Sequence, residues 1–182
     1  MRSVRLLGRY DMRPPQLTDA AELAAAYDRN RDHLAPYEPR RTPDFYTERT
    51  QRESLANARE EARHGRAAGW LILDGERVVG RVNLNTIVRG AAHCTHLGYW
   101  IDRDYNGQGL ATTGVREACT AAAELGLHRI EAVTLVDNEA SKAVLRKCDF
   151  QPIGHASAYL FIDGAWRDHD IFQLLLHDQP LR

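Results

Sequence analysis

Cysteine is scarce: the chain has three, Cys94, Cys119 and Cys148, an odd number with no Cys-x-x-Cys spacing. Neither a disulfide framework nor a zinc site is signalled, and the three read as small packing residues. His, Cys and carboxylates nowhere gather at ligand spacing, so no metal is expected. No apolar run approaches the roughly 20 residues that a membrane-spanning helix needs. The basic opening, Met1 to Arg9, lacks the apolar core of a signal peptide, so the expected location is the cytoplasm and no membrane is an expected partner. Net charge is missing too. Lys and Arg number 24 against 25 Asp and Glu, a formal charge of -1, which offers no general attraction to nucleic acid.

What remains is a chain able to build a core. Its 182 residues are 43% hydrophobic, which suits one domain spanning 1–182. Residues 10–13 predict a short strand closed by Pro14-Pro15. Asp19 is placed as a helix N-cap with Glu22 as its capping partner, ahead of a helix carrying Leu23, Ala26 and Tyr27 and fading near Asn30. Prolines at 36 and 39 predict an irregular loop over 34–39. A charged surface helix follows from Thr47 to about residue 64, with Gly65 as its stop. The period then becomes two: a hairpin over 70–84 turning at Asp74-Gly75, and a strand over 96–101. A helix over 111–125 ends at Gly126, a strand spans 130–136, a short helix 139–148, and two strands, 153–162 and 165–176, meet at Asp163-Gly164. Hairpins at both ends and a strand–helix–strand unit between them predict a mixed sheet in an α+β, three-layer α/β/α sandwich.

The chemistry concentrates where the strand Tyr99-Trp100-Ile101 runs into Asn106-Gly107-Gln108-Gly109-Leu110-Ala111-Thr112. Two glycines admit positive φ and let a ligand approach the backbone. The unpaired N–H groups of the following helical turn converge on one spot that favours an anion, so this is a cradle for pyrophosphate. No Gly-Lys-Ser/Thr is present, which leaves a P-loop unsupported. Thr112 stands where a dinucleotide fold would need its third glycine.

A second segment, Asp137-Asn138-Glu139-Ala140-Ser141-Lys142 through Cys148-Asp149-Phe150, follows a strand and opens a helix. Together the two stretches resemble the GNAT superfamily of N-acetyltransferases, and within it the RimJ/RimL branch. The first matches the family's acyl-CoA loop, Q/R-x-x-G-x-G/A; the second matches its Asn-x-x-Ser helix. The strand Leu97 to Ile101, the segment Gly164-Ala165-Trp166-Arg167-Asp168 and the early Asn30-Arg31-Asp32-His33-Leu34-Ala35-Pro36 are similar to that branch as well. Asn106 replaces the usual Gln or Arg, and Asp149 replaces the glycine of a common Cys-Gly-Phe.

The resemblance implies a mostly antiparallel sheet with a splayed central parallel pair, and acetyl-CoA as co-substrate. It implies that Asn106, Gly107, Gln108, Gly109, Leu110, Ala111 and Thr112 bind the pyrophosphate, mainly through backbone N–H. The backbone of Tyr99, Trp100 and Ile101 would pair with the pantetheine arm like an added strand. Asn138 would bond the pantetheine amide, and Ser141 would stand near the sulfur as hydrogen-bond donor or general acid. His96 is a candidate base, with Glu131 a second. The implied reaction is direct transfer to a primary amine: a protein N-terminus, typically of a ribosomal protein, or alternatively a small-molecule or antibiotic amine. A non-catalytic CoA-binding sensor is the third reading. In the acceptor loop, Glu38 could hold a cationic amine and Arg40 and Arg41 an acidic partner, beside Tyr37. Dimers are frequent in this branch, so a homodimer is an expected form.

Overall fold

Alternating apolar residues lay down eight strands: β1 (Val4–Leu6), β2 (Tyr10–Arg13), β3 (Ala68–Asp74), β4 (Arg77–Val88), β5 (Cys94–Ile101), β6 (Arg129–Leu135), β7 (Gln151–Ile162) and β8 (Ala165–Leu175). The computed structural model describes residues 2–177. Within it the strands form one sheet in the order β1-β2-β3-β4-β5-β6-β8-β7. Every neighbouring pair is antiparallel except β5 and β6.

Five helices cover the sheet: α1 (Ala20–Arg29), α2 (Arg31–Leu34), α3 (Glu48–Arg63), α4 (Leu110–Glu124) and α5 (Glu139–Lys147). Successive strand residues point to opposite faces, so each buried strand feeds two cores. Trp70, Ile72, Val82, Leu97 and Ile101 pack with Leu110, Val115 and Ala118 of α4 and Leu145 of α5. Leu71, Leu73, Val78 and Trp100 pack with Leu23 and Tyr27 of α1 and Leu55 of α3. Leu55 is 2% exposed, a burial that contributes about 2 kcal/mol to holding the otherwise charged α3 in place. The three-layer α+β arrangement read from the sequence is the one observed.

Most local signals hold. Thr47 caps α3, its hydroxyl accepting from the Thr50 amide at 3.3 Å. Gly65 and Gly126 follow α3 and α4 with positive φ. Asp149 adopts φ 63°, the left-handed conformation that a glycine takes most easily.

Three expectations change. Asp19 does not cap α1: its carboxylate accepts two hydrogen bonds from Arg13 (2.7 and 2.8 Å) and one from the Gln16 amide (2.7 Å). A bidentate guanidinium at the end of β2 outcompetes helix amides for that carboxylate. Glu22 likewise turns away, accepting from the Val78 amide at 3.1 Å and Arg29 at 2.9 Å. The loop expected over 34–39 is irregular only in its last residues, since α2 runs to Leu34 and a 3-10 turn, Ala35–Tyr37, continues it. Pro36 stands in the first turn, where its missing N–H costs nothing.

The feature that positions the site is an interruption. β5 and β6 pair only at Cys94↔Arg129, Thr95↔Ile130 and His96↔Glu131. Beyond His96, β5 continues along β4 as far as Ile101↔Gly80, while β6 continues along β8. The parallel pair opens into a wedge whose closed end is His96 and Glu131.

Candidate active site

β5 delivers the chain to Asp102, a 3-10 turn (Arg103–Tyr105), and the glycine loop ahead of α4. Gly107 and Gly109 have φ of 75° and 83°, and Gly109 is the N-cap residue of α4. A Cβ added at either would meet nothing within 4 Å. Internal packing therefore does not require these glycines; the left-handed backbone does, and it leaves the loop facing open space. The first-turn amides of α4, from Leu110 to Thr112, look into that space with no capping side chain over them. Leu110 itself is buried, so only its backbone is available there.

The loop is tied down on every side. Asp102, 2% exposed, accepts from Arg29 Nε at 3.0 Å, Arg77 at 3.3 Å and the Asp104 amide at 3.0 Å. Burial pushes its carboxyl up, but hydrogen bonds from Arg29, the Asp104 amide, Asn30 and Arg77 outweigh this and hold the group below its ordinary value. Buried Asn30 accepts the Arg103 amide at 2.9 Å. Tyr105 donates to Asp74 at 3.0 Å, and Tyr10 donates to Gln108 Oε1 at 2.9 Å. Asn106 lies 3.2 Å from the His33 ring. The Gln108 and Asn106 side chains therefore brace the loop, leaving the backbone to meet an anion.

α5 crosses the wedge on the same face as α4. Asn138 caps it, Oδ1 accepting from the Ser141 amide at 3.0 Å, which leaves the Asn138 side-chain N–H groups for other partners. Ser141 Oγ is 2.9 Å from the Tyr99 phenol oxygen, and Tyr99 also lies 3.3 Å from the Ser141 carbonyl as a donor. Burial pushes the Tyr99 phenol up to about 12, so it stays protonated near neutrality. On the other side of the wedge Lys142, 7% exposed, donates to Asp170 of β8 at 2.8 Å. At its far end α5 touches the glycine-loop helix: Arg116 donates to the Lys147 carbonyl at 2.7 Å, and Cys148 Sγ lies 3.5 Å from the Thr112 carbonyl.

The remaining candidates separate by face. Trp100 points away from α5, its indole N–H donating to Tyr27 at 3.2 Å, so only its backbone borders the wedge. His96 and Glu131 lie on that same far face at the closed end, Nδ1 to Oε2 3.9 Å, with Arg129 2.9 Å from Glu131. Ser141 and His96 thus reach the wedge from opposite faces of the sheet. Glu38 and Arg41 pair with each other at 3.2 Å, and Arg40 pairs with Asp163 at 3.2 Å. The Asp163 amide donates to the Glu38 carbonyl at 3.2 Å, so this loop is fastened to the tip of the β7–β8 hairpin. Sequence reading missed Asp102, Arg29, Tyr105 and the pairing of Tyr99 with Ser141; the early Asn30 motif was its only sign of the anchor.

A family model described as the acetyltransferase (GNAT) domain matches residues 9–151. A probable N-acetyltransferase, YjcK of Bacillus subtilis, is 34% identical over 170 residues, 92% of this chain and 94% of that one. The crystal structure of ribosomal-protein-S5-alanine acetyltransferase from Vibrio fischeri superposes with a TM-score of 0.94 at 32% identity, covering 99% of this chain and 100% of that one. Mycobacterium smegmatis RimJ, solved in complex with CoA-disulfide, gives 0.88 at 30% identity over 96% and 86%. The family model covers most of the chain and these likenesses span nearly all of it: the chain belongs to the GNAT acetyltransferase family as a homologue of the RimJ/RimL ribosomal-protein N-acetyltransferases.

Proposed function

We propose that this chain, as a single acetyltransferase domain, moves the acetyl group of acetyl-CoA directly onto the N-terminal α-amine of a protein, in the first instance a ribosomal protein. The observation that carries this reading is the end of β5–β6 pairing at His96, which opens a strand edge between the α4 amides and Ser141. The α4 amides and the dipole behind them take the diphosphate. The free edge of β5 from Tyr99 to Ile101 takes the pantetheine amides in place of a ladder partner. Asn138 contributes its side-chain N–H to the same arm. Such an acceptor places the reaction in the cytoplasm.

Transfer requires a neutral amine and a protonated leaving thiolate. An α-amine, with a pKa near ~8, is far closer to neutral at physiological pH than a lysine near ~10. His96, backed by Glu131, accepts the amine proton from one face of the sheet, directly or through water. Ser141 supplies a hydrogen bond or proton to the departing sulfur from the other face. Backbone N–H groups of β5 polarise the thioester oxygen. Burial pushes the Cys119 thiol up to about 12 and also raises Cys148, which disfavours a covalent route through either.

The same reading includes a homodimer. Exposed Tyr159, Phe161 and Trp166 on the β7–β8 hairpin support it, and sedimentation would report a single-copy mass if it is wrong. For the activity, the protein is incubated with acetyl-CoA, ribosomal proteins and a panel of small amines, and products are read by mass spectrometry. Acetylated protein N-termini support the proposal. Acetylated small amines alone would move the acceptor class, and CoA binding without any product would make the chain a sensor.

A further inference from the structure

A cleft of about 640 Å3 lies on the sheet face opposite α5, under the C-terminal half of α3. It stands apart from the glycine loop. Its floor is Gly69 of β3 with Arg81, Asn83 and Asn85 of β4, and Ala58, Arg59, Glu61 and Ala62 of α3 line the roof, where Glu61 is already paired with Arg66 at 2.6 Å. The floor is in register with the strand that borders the wedge: Arg81 opposes Trp100, Asn83 opposes Gly98, and Asn85 opposes His96. Neighbouring strands lie ~4.8 Å apart, so the cleft begins one strand away from the acetyl-transfer wedge. Gly98 puts no side chain on the strand between them, and a Cβ there would meet only Asn85 Nδ2, at 3.6 Å.

Arg81 is the unusual member. It is half-buried, and its partners are neutral: Asn83 Oδ1 at 3.1 Å and the Tyr27 hydroxyl at 3.4 Å. The other half-buried arginines of the sheet have carboxylates, Arg13 with Asp19, Arg77 with Asp102 and Arg129 with Glu131. Among the described residues no carboxylate forms an ion pair with Arg81. A guanidinium in a cleft with neutral partners keeps donors free for an anion, and a carboxylate matches its fork.

We infer that the cleft is the acceptor's second subsite, and that it takes an extended N-terminal segment whose third or fourth residue is acidic, that carboxylate binding Arg81. This rests on the protein α-amine reading above. An extended chain rises ~3.3 Å per residue, so three or so residues carry it from an amine at the wedge, over Gly98, to Arg81. The Asn83 and Asn85 amides, each with a donor and an acceptor, suit the peptide backbone along that path. A small amine would fill the wedge and leave the cleft unused.

The test uses hexapeptides beginning with Ala and carrying Glu or Gln at position three or four. Rates are measured on the wild type, Arg81→Gln and Arg81→Lys. The wild type should favour one Glu peptide by about tenfold in kcat/KM, the value of one charge-assisted contact. Arg81→Gln should bring the Glu and Gln peptides to one kcat/KM, with the acetyl-CoA KM unchanged; Arg81→Lys should retain part of the preference. If Arg81→Gln does not fold, Ala58→Glu on the roof should reverse the preference. Anisotropy of labelled peptides in the presence of CoA reads the cleft without turnover. Charge-dependent binding with no acetyl transfer would sink the α-amine reading and leave the cleft standing. Transfer that ignores the acidic residue, or a preference that survives Arg81→Gln, overturns the inference.

Discussion

The Tyr99 phenol oxygen lies 2.9 Å from the Ser141 hydroxyl oxygen, joining the strand at the wedge to the helix that spans it. The Asn138 cap fixes the amide of Ser141, and Tyr99 addresses both its carbonyl and its hydroxyl. Either oxygen can donate in this pair, so the contact fixes where the serine hydroxyl stands. The position of one hydroxyl is therefore set by a strand residue 42 positions earlier.

Removing that hydroxyl should act on turnover. Ser141→Ala should lower kcat by about 10²-fold, the lower end for a general acid, with the acetyl-CoA KM little changed. Tyr99→Phe should lower kcat less, and should add almost nothing in a Ser141→Ala background, because the two act as one unit. Steady-state kinetics of the two single variants and the double variant checks this; independent, multiplying losses would separate the residues.

The anchor of the glycine loop should be acid-sensitive. Asp102 has its carboxyl held below the ordinary value in the folded chain, chiefly by Arg29 once burial is overcome. A depressed carboxylate stabilises the fold above its unfolded pKa, near about 4, and that contribution disappears as pH falls through the lower folded value. Asp102→Asn should therefore cost about 2 kcal/mol at neutral pH and flatten the acid limb of stability. Urea midpoints between pH 3 and 7, wild type against variant, report both effects; parallel curves would contradict them.

The cysteines should be slow to react. Cys148 is buried and Cys119 half-buried, and desolvation raises both thiols, Cys119 to about 12; the thiolate is the reactive form. Native protein should therefore resist a thiol reagent at pH 8 and become reactive on unfolding. A double Cys119→Ala, Cys148→Ala variant should retain direct transfer, whereas loss of turnover at full folding would reinstate a covalent route.

How much of this the residues disclose on their own follows from distance along the chain. Gly107 and Gly109 are legible because positive φ is a local demand that few other residues meet. The Thr47 cap and the Asn138 cap are legible for the same reason, each bond spanning three residues. The bracing of the loop is not. Arg29 and Asp102 are 73 positions apart, and Tyr10 and Gln108 are 98 apart, so only the folded sheet brings them together. β1, at three residues, is too short for its period to register. Asp19 misleads because its capping pattern is real, but Arg13 is a stronger partner than the helix amides.

The central claim is that the exposed amides after Gly109 grip the diphosphate of CoA, and a calorimetric titration of CoA into the wild type and Gly109→Ala tests it most directly. The left-handed φ of 83° at Gly109 costs an alanine about 1–2 kcal/mol or distorts the loop. The account expects saturable one-to-one binding to the wild type, weakened about tenfold or more in the variant. No heat with the wild type, or equal affinity in the two proteins, would contradict it.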